Sequence, residues 1–340
     1  MILVIGGANI DYHGRSSGAV HMYSSNPGIF TRSWGGVGRN IAENVALLGV
    51  APSFIAAVGD DPETSLLFAD LEKLGISTDF LIRVPGGRTS VYCEILDDQG
   101  DLVVAISDMD ICLALTPHAL EPHVDLIRSA TIVVVDTNLS QETLEFLAGL
   151  ADIRLFADPV SVSKAPRLLG ILPKLYGCKP NRAEAEVLAG LEPSTGSSSS
   201  TPTIRDLALR LRDQGIQQVW VSDGPQGVYY AGSEGDAHYP AVGAGAPGPG
   251  GADQQQSPPT LPRGTAPLHL PPATQQQGPA PPAVGNTTGA GDSYTAALVW
   301  ALDRGLSARR ATEIGGKVAA LTCQVETTTN PLLKTLRNQL

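Results

Sequence analysis

From Thr131 to Ser222, short apolar runs at 132–135, 154–157, 175–178 and 218–222 alternate with stretches of helical periodicity at 142–150, 182–189 and 204–214. Strands that are apolar along their whole length are buried on both faces, and parallel strands are joined only through crossovers. The alternation therefore predicts a mostly parallel sheet covered by helices on both sides. Polar residues gather where these strands end: Asp136 and Asn138; Asp158, Pro159 and Ser161; Lys179, Asn181 and Glu184; Ser222, Asp223 and Gly224. Each group alone reads as a turn or a helix cap. Repeated over four strand ends, the habit points to a ligand, because open sheets of this kind bind along that edge.

The N-terminal part joins the same plan. Residues 2–5 form an apolar strand that empties into Gly6-Gly7-Ala8-Asn9-Ile10-Asp11, where Asn9 and Asp11 either face a ligand or bond their own backbone. Trp34-Gly35-Gly36-Val37-Gly38-Arg39-Asn40 then opens a helix with Ile41, Val45 and Leu48 on one face and Gly49 at its end. Arg39 puts a cation in the first helical turn, where the dipole disfavours it unless something requires it. A strand at 53–58 and a helix carrying Leu66, Leu67, Leu71 and Leu74 come next. The polar residues 12–34, the alternating run 89–96 and the Asp97-Asp98-Gln99-Gly100 hairpin predict a small antiparallel β lid, from about 12–34 and 88–112.

Composition narrows the function classes. The formal net charge is -11, which disfavours nucleic acid and anionic membrane as general partners. No apolar run approaches the ~20 residues of a membrane span. The first residues lack the basic flank of a signal peptide, and Asn338-Gln339-Leu340 is not a peroxisomal address of the Ser-Lys-Leu type, so a cytoplasmic location is expected. Cys93, Cys112, Cys178 and Cys323 are scattered without metal-ligand spacing and read as reduced thiols. Residues 243–283 hold 11 of the 26 prolines and two glutamine triplets, which predicts a disordered insertion. The chain beyond that insertion holds one glycine turn and two helices, at 293–303 and 308–325, too little for a separate core. Residues 1–340 therefore read as one domain, with these helices packing back on the sheet.

Directly after the insertion stands Asn286-Thr287-Thr288-Gly289-Ala290-Gly291-Asp292. A turn of small residues opening a helix presents unpaired N–H groups and the positive end of the dipole, an anion site. Asp292 in the first turn is either an N-terminal cap or a base beside the bound anion. GxGxxG after the first strand and GxxxxGK[ST] are both absent, which counts against a dinucleotide-binding dehydrogenase and a P-loop.

Thr288-Gly289-Ala290-Gly291-Asp292, Gly35-Gly36-Val37-Gly38-Arg39-Asn40, Asn9-Ile10-Asp11 and Lys179-Pro180-Asn181-Arg182-Ala183-Glu184 together resemble the motifs of the ribokinase-like (PfkB) sugar and nucleoside kinases, over nearly the whole chain except 243–283. Within that family the chain is most similar to the pseudouridine kinase branch, through Ser25-Asn26-Pro27-Gly28, Ser107-Asp108-Met109-Asp110-Ile111, Asp158-Pro159-Val160-Ser161 and Thr328-Thr329-Asn330-Pro331. Asn286, where many members carry Asp, fits this branch and weakens the inference of a monovalent cation (K+) site.

The resemblance implies a three-layer α/β/α fold and ATP-dependent phosphorylation of the 5'-hydroxyl of pseudouridine. Asp292 would be the base, with the N–H groups around Gly289, Ala290 and Gly291 stabilising the transferring phosphoryl group. Asn9, Asp11, Gly35, Gly36 and Asn40 would hold the ribose, with Asn138 a further contact. Asn26, Thr89 and Asp108 would meet the nucleobase, Asp108 as acceptor for the additional imide N–H of pseudouridine. Asn181, Ser222, Gly224, Gly227 and Thr288 would line the nucleotide, and Glu184 would act on Mg2+ through water. The partners implied are the nucleoside and ATP, a homodimer paired across the lid, and, as pathway neighbour, the glycosidase that splits pseudouridine 5'-phosphate. The rival readings are a ribose or adenosine kinase of the same fold and a catalytically inactive regulator.

Overall fold

The computed structural model describes residues 1–193, 201–242, 288–325 and 327–337. The 243–283 insertion, Asn286 and Thr287 lie outside the described residues.

Eight strands form the main sheet, in the order Gly235–Tyr239, Val228–Gly232, Val219–Ser222, Gly177–Cys178, Leu155–Asp158, Ile132–Asp136, Ile2–Ile5, Ser53–Ile55. Pairing is parallel from Val219–Ser222 to Ser53–Ile55. Successive side chains leave opposite faces, and both sets are apolar. Ile2, Val4, Ile132, Val134 and Phe156 join one core with the helices Val37–Leu47, Ala290–Asp303 and Ala308–Thr322. Leu3, Ile5, Val133, Val135 and Ala157 join the other with Gln141–Gly149, Arg182–Leu188 and Ile204–Asp213. The result is the expected α/β/α arrangement. Trp300 Nε1 donates to the Leu48 carbonyl at 3.0 Å, locking the last part of the chain onto the first helix.

Three local departures have physical causes. The strand expected at 53–58 divides: Ser53–Ile55 stays in the main sheet, while Ala57–Val58 pairs with Ile82–Arg83 in a sheet of its own. The Val228–Gly232/Gly235–Tyr239 hairpin extends the sheet antiparallel and is absent from the sequence reading; its signal is Val228-Tyr229-Tyr230, with Gly235 at φ +98 supplying the turn. Short helices at Pro117–Leu120 and Val124–Ser129 also escape that reading, because Pro122 breaks their periodicity.

A second sheet of four strands has the order Gly28–Gly35, Asn9–Ser16, Ser90–Leu96, Leu102–Asp108. Its outer pairings are antiparallel, as expected of the lid, and its central pairing is parallel. Its first strand in chain order starts at Asn9, so Asn9 and Asp11 belong to the lid itself.

Candidate active site

The helix Ala290–Asp303 opens on Gly289, which adopts φ +80 as its N-cap. A Cβ at this position would collide with the Thr328 carbonyl, so both conformation and space demand glycine here. Among the described residues no side chain caps this N-terminus, where a helix leaves its first N–H groups without intrahelical partners. Asp292 is therefore not the cap. Its half-buried carboxylate accepts from Asn40 Nδ2 at 2.9 Å. Burial, with Asp158 as a second contributor, lifts Asp292 from the ordinary carboxylate range to about 7, while the Asn40 hydrogen bond and Lys179 pull it down. A base poised near neutrality is what proton abstraction from a hydroxyl needs.

Lys179 sits behind this turn, buried, its ammonium 3.3 Å from where a Cβ on Gly291 would lie and 3.8 Å from Asp158 Oδ2. Asp158 Oδ2 also accepts from Thr295 Oγ1 at 3.0 Å, on the second turn of the same helix. In the sequence, Lys179 and Asp158 stand out as polar strand ends and as members of the motifs quoted above, without an assigned role at the site. The structure places their charges beside the N-terminal end of this helix.

Asp136 joins the two N-terminal glycine motifs. Its Oδ2 accepts from the backbone N–H of Gly7 and of Gly38, each at 2.8 Å, and its Oδ1 accepts from Asn138 N–H at 2.9 Å. Fully buried, it is raised above the usual range by desolvation, against the pull of those donors. Asn138 is buried next to it, its Oδ1 accepting from Lys164 Nζ at 2.7 Å. Asn9 Nδ2 donates to Asp11 Oδ1, and burial raises Asp11 to about 6. Gly35 stands directly against the Asp11 carboxylate, and Gly36, at φ +96, brings its backbone to the Gly7 carbonyl. The contacts thus join Asn9 to Asp11, Asp11 to Gly35, Gly36 to Gly7, and Asn40 to Asp292.

The residues assigned to the nucleotide follow the strands Gly177–Cys178 and Val219–Ser222 of the main sheet. Asn181 and Glu184 form a reciprocal capping box, Asn181 N–H to Glu184 Oε2 at 2.9 Å and Glu184 N–H to Asn181 Oδ1 at 2.9 Å. Ser222 bridges to Asn181, and Gly224 and Gly227 turn with positive φ just beyond it. Thr288, Ala290 and Gly291 stand at the start of the helix Ala290–Asp303.

The three residues assigned to the nucleobase lie in distinct local settings. Asp108 pairs with Val91, in register with Ile10 and Trp34, and so leaves the lid on the face opposite Asp11. Thr89 is buried in the cap of the helix Pro62–Lys73, accepting from Gly59 N–H at 3.1 Å and donating through Oγ1 to Asp61 Oδ1 at 2.8 Å. Asn26 closes its own loop, accepting from His21 N–H at 2.7 Å and donating to the His21 and Ser24 carbonyls. Arg39, the misplaced cation, answers to structure: it pairs with Glu43 and Asp70, each at 2.7 Å.

The pfkB family carbohydrate kinase model matches residues 1–246 and 272–335. Pseudouridine kinase of Escherichia coli K12 is 36% identical over 241 residues, covering 71% of this chain and 75% of that protein. Guanosine-inosine kinase of Exiguobacterium acetylicum is 27% identical over 325 residues, covering 94% and 93%. The structure of Arabidopsis thaliana ribokinase complexed with ribose and ATP superposes with a TM-score of 0.72 at 18% identity, covering 100% of this chain and 98% of that one. That superposition supports the ribokinase-like fold. With the site geometry above, the matches to family and relatives establish a phosphotransferase with an alcohol acceptor: the chain belongs to the pfkB family of carbohydrate kinases.

Proposed function

We propose that the protein transfers the γ-phosphoryl group of ATP to the 5'-hydroxyl of pseudouridine. The observation that carries the chemistry is the Asp292 carboxylate, raised to about 7 and held by Asn40 at the mouth of an uncapped helix N-terminus. The likeness to a pseudouridine kinase over 71% of the chain supports the choice of nucleoside.

Asn9, Asp11 and the Gly36 backbone hold the ribose hydroxyls and fix the 5'-oxygen in line, which is where positioning lowers the barrier. Asp292 takes the proton as the oxygen attacks. The N–H groups at Gly289–Gly291 meet the charge on the phosphoryl oxygens, and Lys179 adds a cation behind them.

The described residues contain no group of three or more His, Cys, Asp or Glu side chains able to hold a metal by themselves. A Mg2+ carried mainly by nucleotide phosphates and water, with Glu184 outside its inner shell, needs no such group. Glu184 is raised by burial and by Asp158, an arrangement that a cation relieves. Mg2+ bound there would neutralise the β- and γ-phosphates.

The lid face opposite Asp11 exposes Phe30, Val104 and Ile106, at 64%, 51% and 70%. A second copy of the chain covering that face accounts for so much bare apolar surface, and sedimentation equilibrium tests it by the mass in solution. The product, a C-nucleoside 5'-phosphate, requires a C–C-cleaving glycosidase as its next step.

The function is tested by ATP consumption on pseudouridine, uridine, adenosine and ribose. The highest kcat/KM is expected on pseudouridine; equal or better turnover of ribose overturns the assignment.

A further inference from the structure

The lid face that bears Asp11 bears a second polar cluster, which phosphoryl transfer does not use. Alternation along the strands puts Asp11 and His13 on this face, with Ser33 directly opposite Asp11 on one neighbouring strand. Tyr92 and Glu94 stand opposite Asp11 and His13 on the other. Glu94 Oε1 lies 2.7 Å from His13 Nδ1, and His13 Nε2 lies 3.1 Å from Ser33 Oγ.

These two bonds set the direction of the protons. An ionised carboxylate only accepts, so Nδ1–H of the ring is the donor to Glu94. Where that ring is neutral, its other nitrogen has only a lone pair, and the Ser33 hydroxyl donates to it. Ser33 is left with lone pairs alone for anything else that approaches. A free serine offers a donor or an acceptor at will; this one is held as an acceptor.

Ser33 is one interstrand spacing, about 4.8 Å, from Asp11 and two residues, about 7 Å, from Gly35. A ribose held by Asn9, Asp11 and Gly36 has its base within that reach. Resting on the kinase reading above, we propose that Ser33 reads the nucleobase by accepting a hydrogen bond from a ring N–H, with His13 and Glu94 as positioning residues that fix its polarity. Pseudouridine presents a ring N–H where uridine, superposed on the glycosidic bond, presents C–H. An acceptor at that place favours the first and gains nothing from the second.

The experiment compares kcat/KM for pseudouridine and uridine in the wild type, Ser33→Ala, Ser33→Thr and His13→Phe, with thermal unfolding of each. Ser33→Ala should cut the preference for pseudouridine about 10-fold, mainly through KM, the value of one hydrogen bond. Ser33→Thr, which keeps the hydroxyl on a strand, should retain the preference. His13→Phe should lose part of it although Ser33 remains. A wild-type preference that survives unchanged in Ser33→Ala and His13→Phe overturns this inference and leaves the substrate assignment standing. A wild type without preference for pseudouridine overturns both.

Discussion

Asn40 Nδ2 donates to Asp292 Oδ2 at 2.9 Å across 252 positions of sequence. The residue assigned to the ribose thus also holds the carboxylate proposed as the base. Replacing Asp292 by Asn keeps the shape and removes the proton acceptor. Turnover should fall by about 10²–10⁴. ATP affinity, measured by calorimetry, should change by no more than a few-fold.

The same substitution should stabilise the fold in a pH-dependent way. The folded-state value of Asp292, about 7, lies above the ordinary aspartate value of 3.8, so the folded protein binds that proton more tightly than the unfolded chain. Stability is therefore lost as pH rises from about 4 to about 7 and is not regained above. Asparagine lacks that charge. The Tm advantage of Asp292→Asn should be small at pH 4 and largest at pH 8, as read by scanning calorimetry.

Catalysis should titrate with the same group. The ionised carboxylate is the active form, so kcat/KM should rise with pH through about 7. Lys179 and the Asn40 hydrogen bond both lower Asp292, so Lys179→Gln should move this ascending limb to higher pH, whatever it does to the absolute rate.

Gly289→Ala should cost about 1–3 kcal/mol from the left-handed backbone alone, and more from the collision with the Thr328 carbonyl. Gly35→Ala enters the Asp11 carboxylate without needing a positive φ, so it should raise KM for the nucleoside more than it lowers Tm. Comparing the two variants by steady-state kinetics and melting separates space at the substrate from strain in the turn.

Arg39→Leu leaves Glu43 and Asp70 without their partner, and loss of about 2 kcal/mol is expected in urea unfolding. Deleting residues 246–281 should leave kcat/KM within about 2-fold; the family match also omits 247–271. A large loss would mean that the segment serves the site.

Much of the site is legible in the sequence because its elements announce themselves locally. Bare glycine turns, apolar strands and polar strand ends need no tertiary knowledge, and they single out Asp292, Asn40, Asn9, Asp11 and Asn181 as candidates. The nucleobase-binding choices are harder to read because they depend on register. A shift of one residue on a strand changes face, and Asp108 lies on the face opposite Asp11 while its neighbour Ser107 shares that of Asp11. Thr89 and Asn26 have the right chemistry, but local caps and turns already claim it. Asp136 is visible as a polar strand end, yet its role depends on Gly7 and Gly38, 129 and 98 positions away.

Only three residues separate the end of the core strand Ile2–Ile5 from the start of the lid strand Asn9–Ser16. Asn9 and Asp11 are therefore the root of a lever whose fulcrum is Gly6-Gly7-Ala8, clamped by Asp136 through Gly7. A sugar gripped at that root, as proposed, would load the whole arm. Any tilt of the lid would then change the distance from the ribose to Asp292, making substrate capture and alignment for transfer a single coordinate.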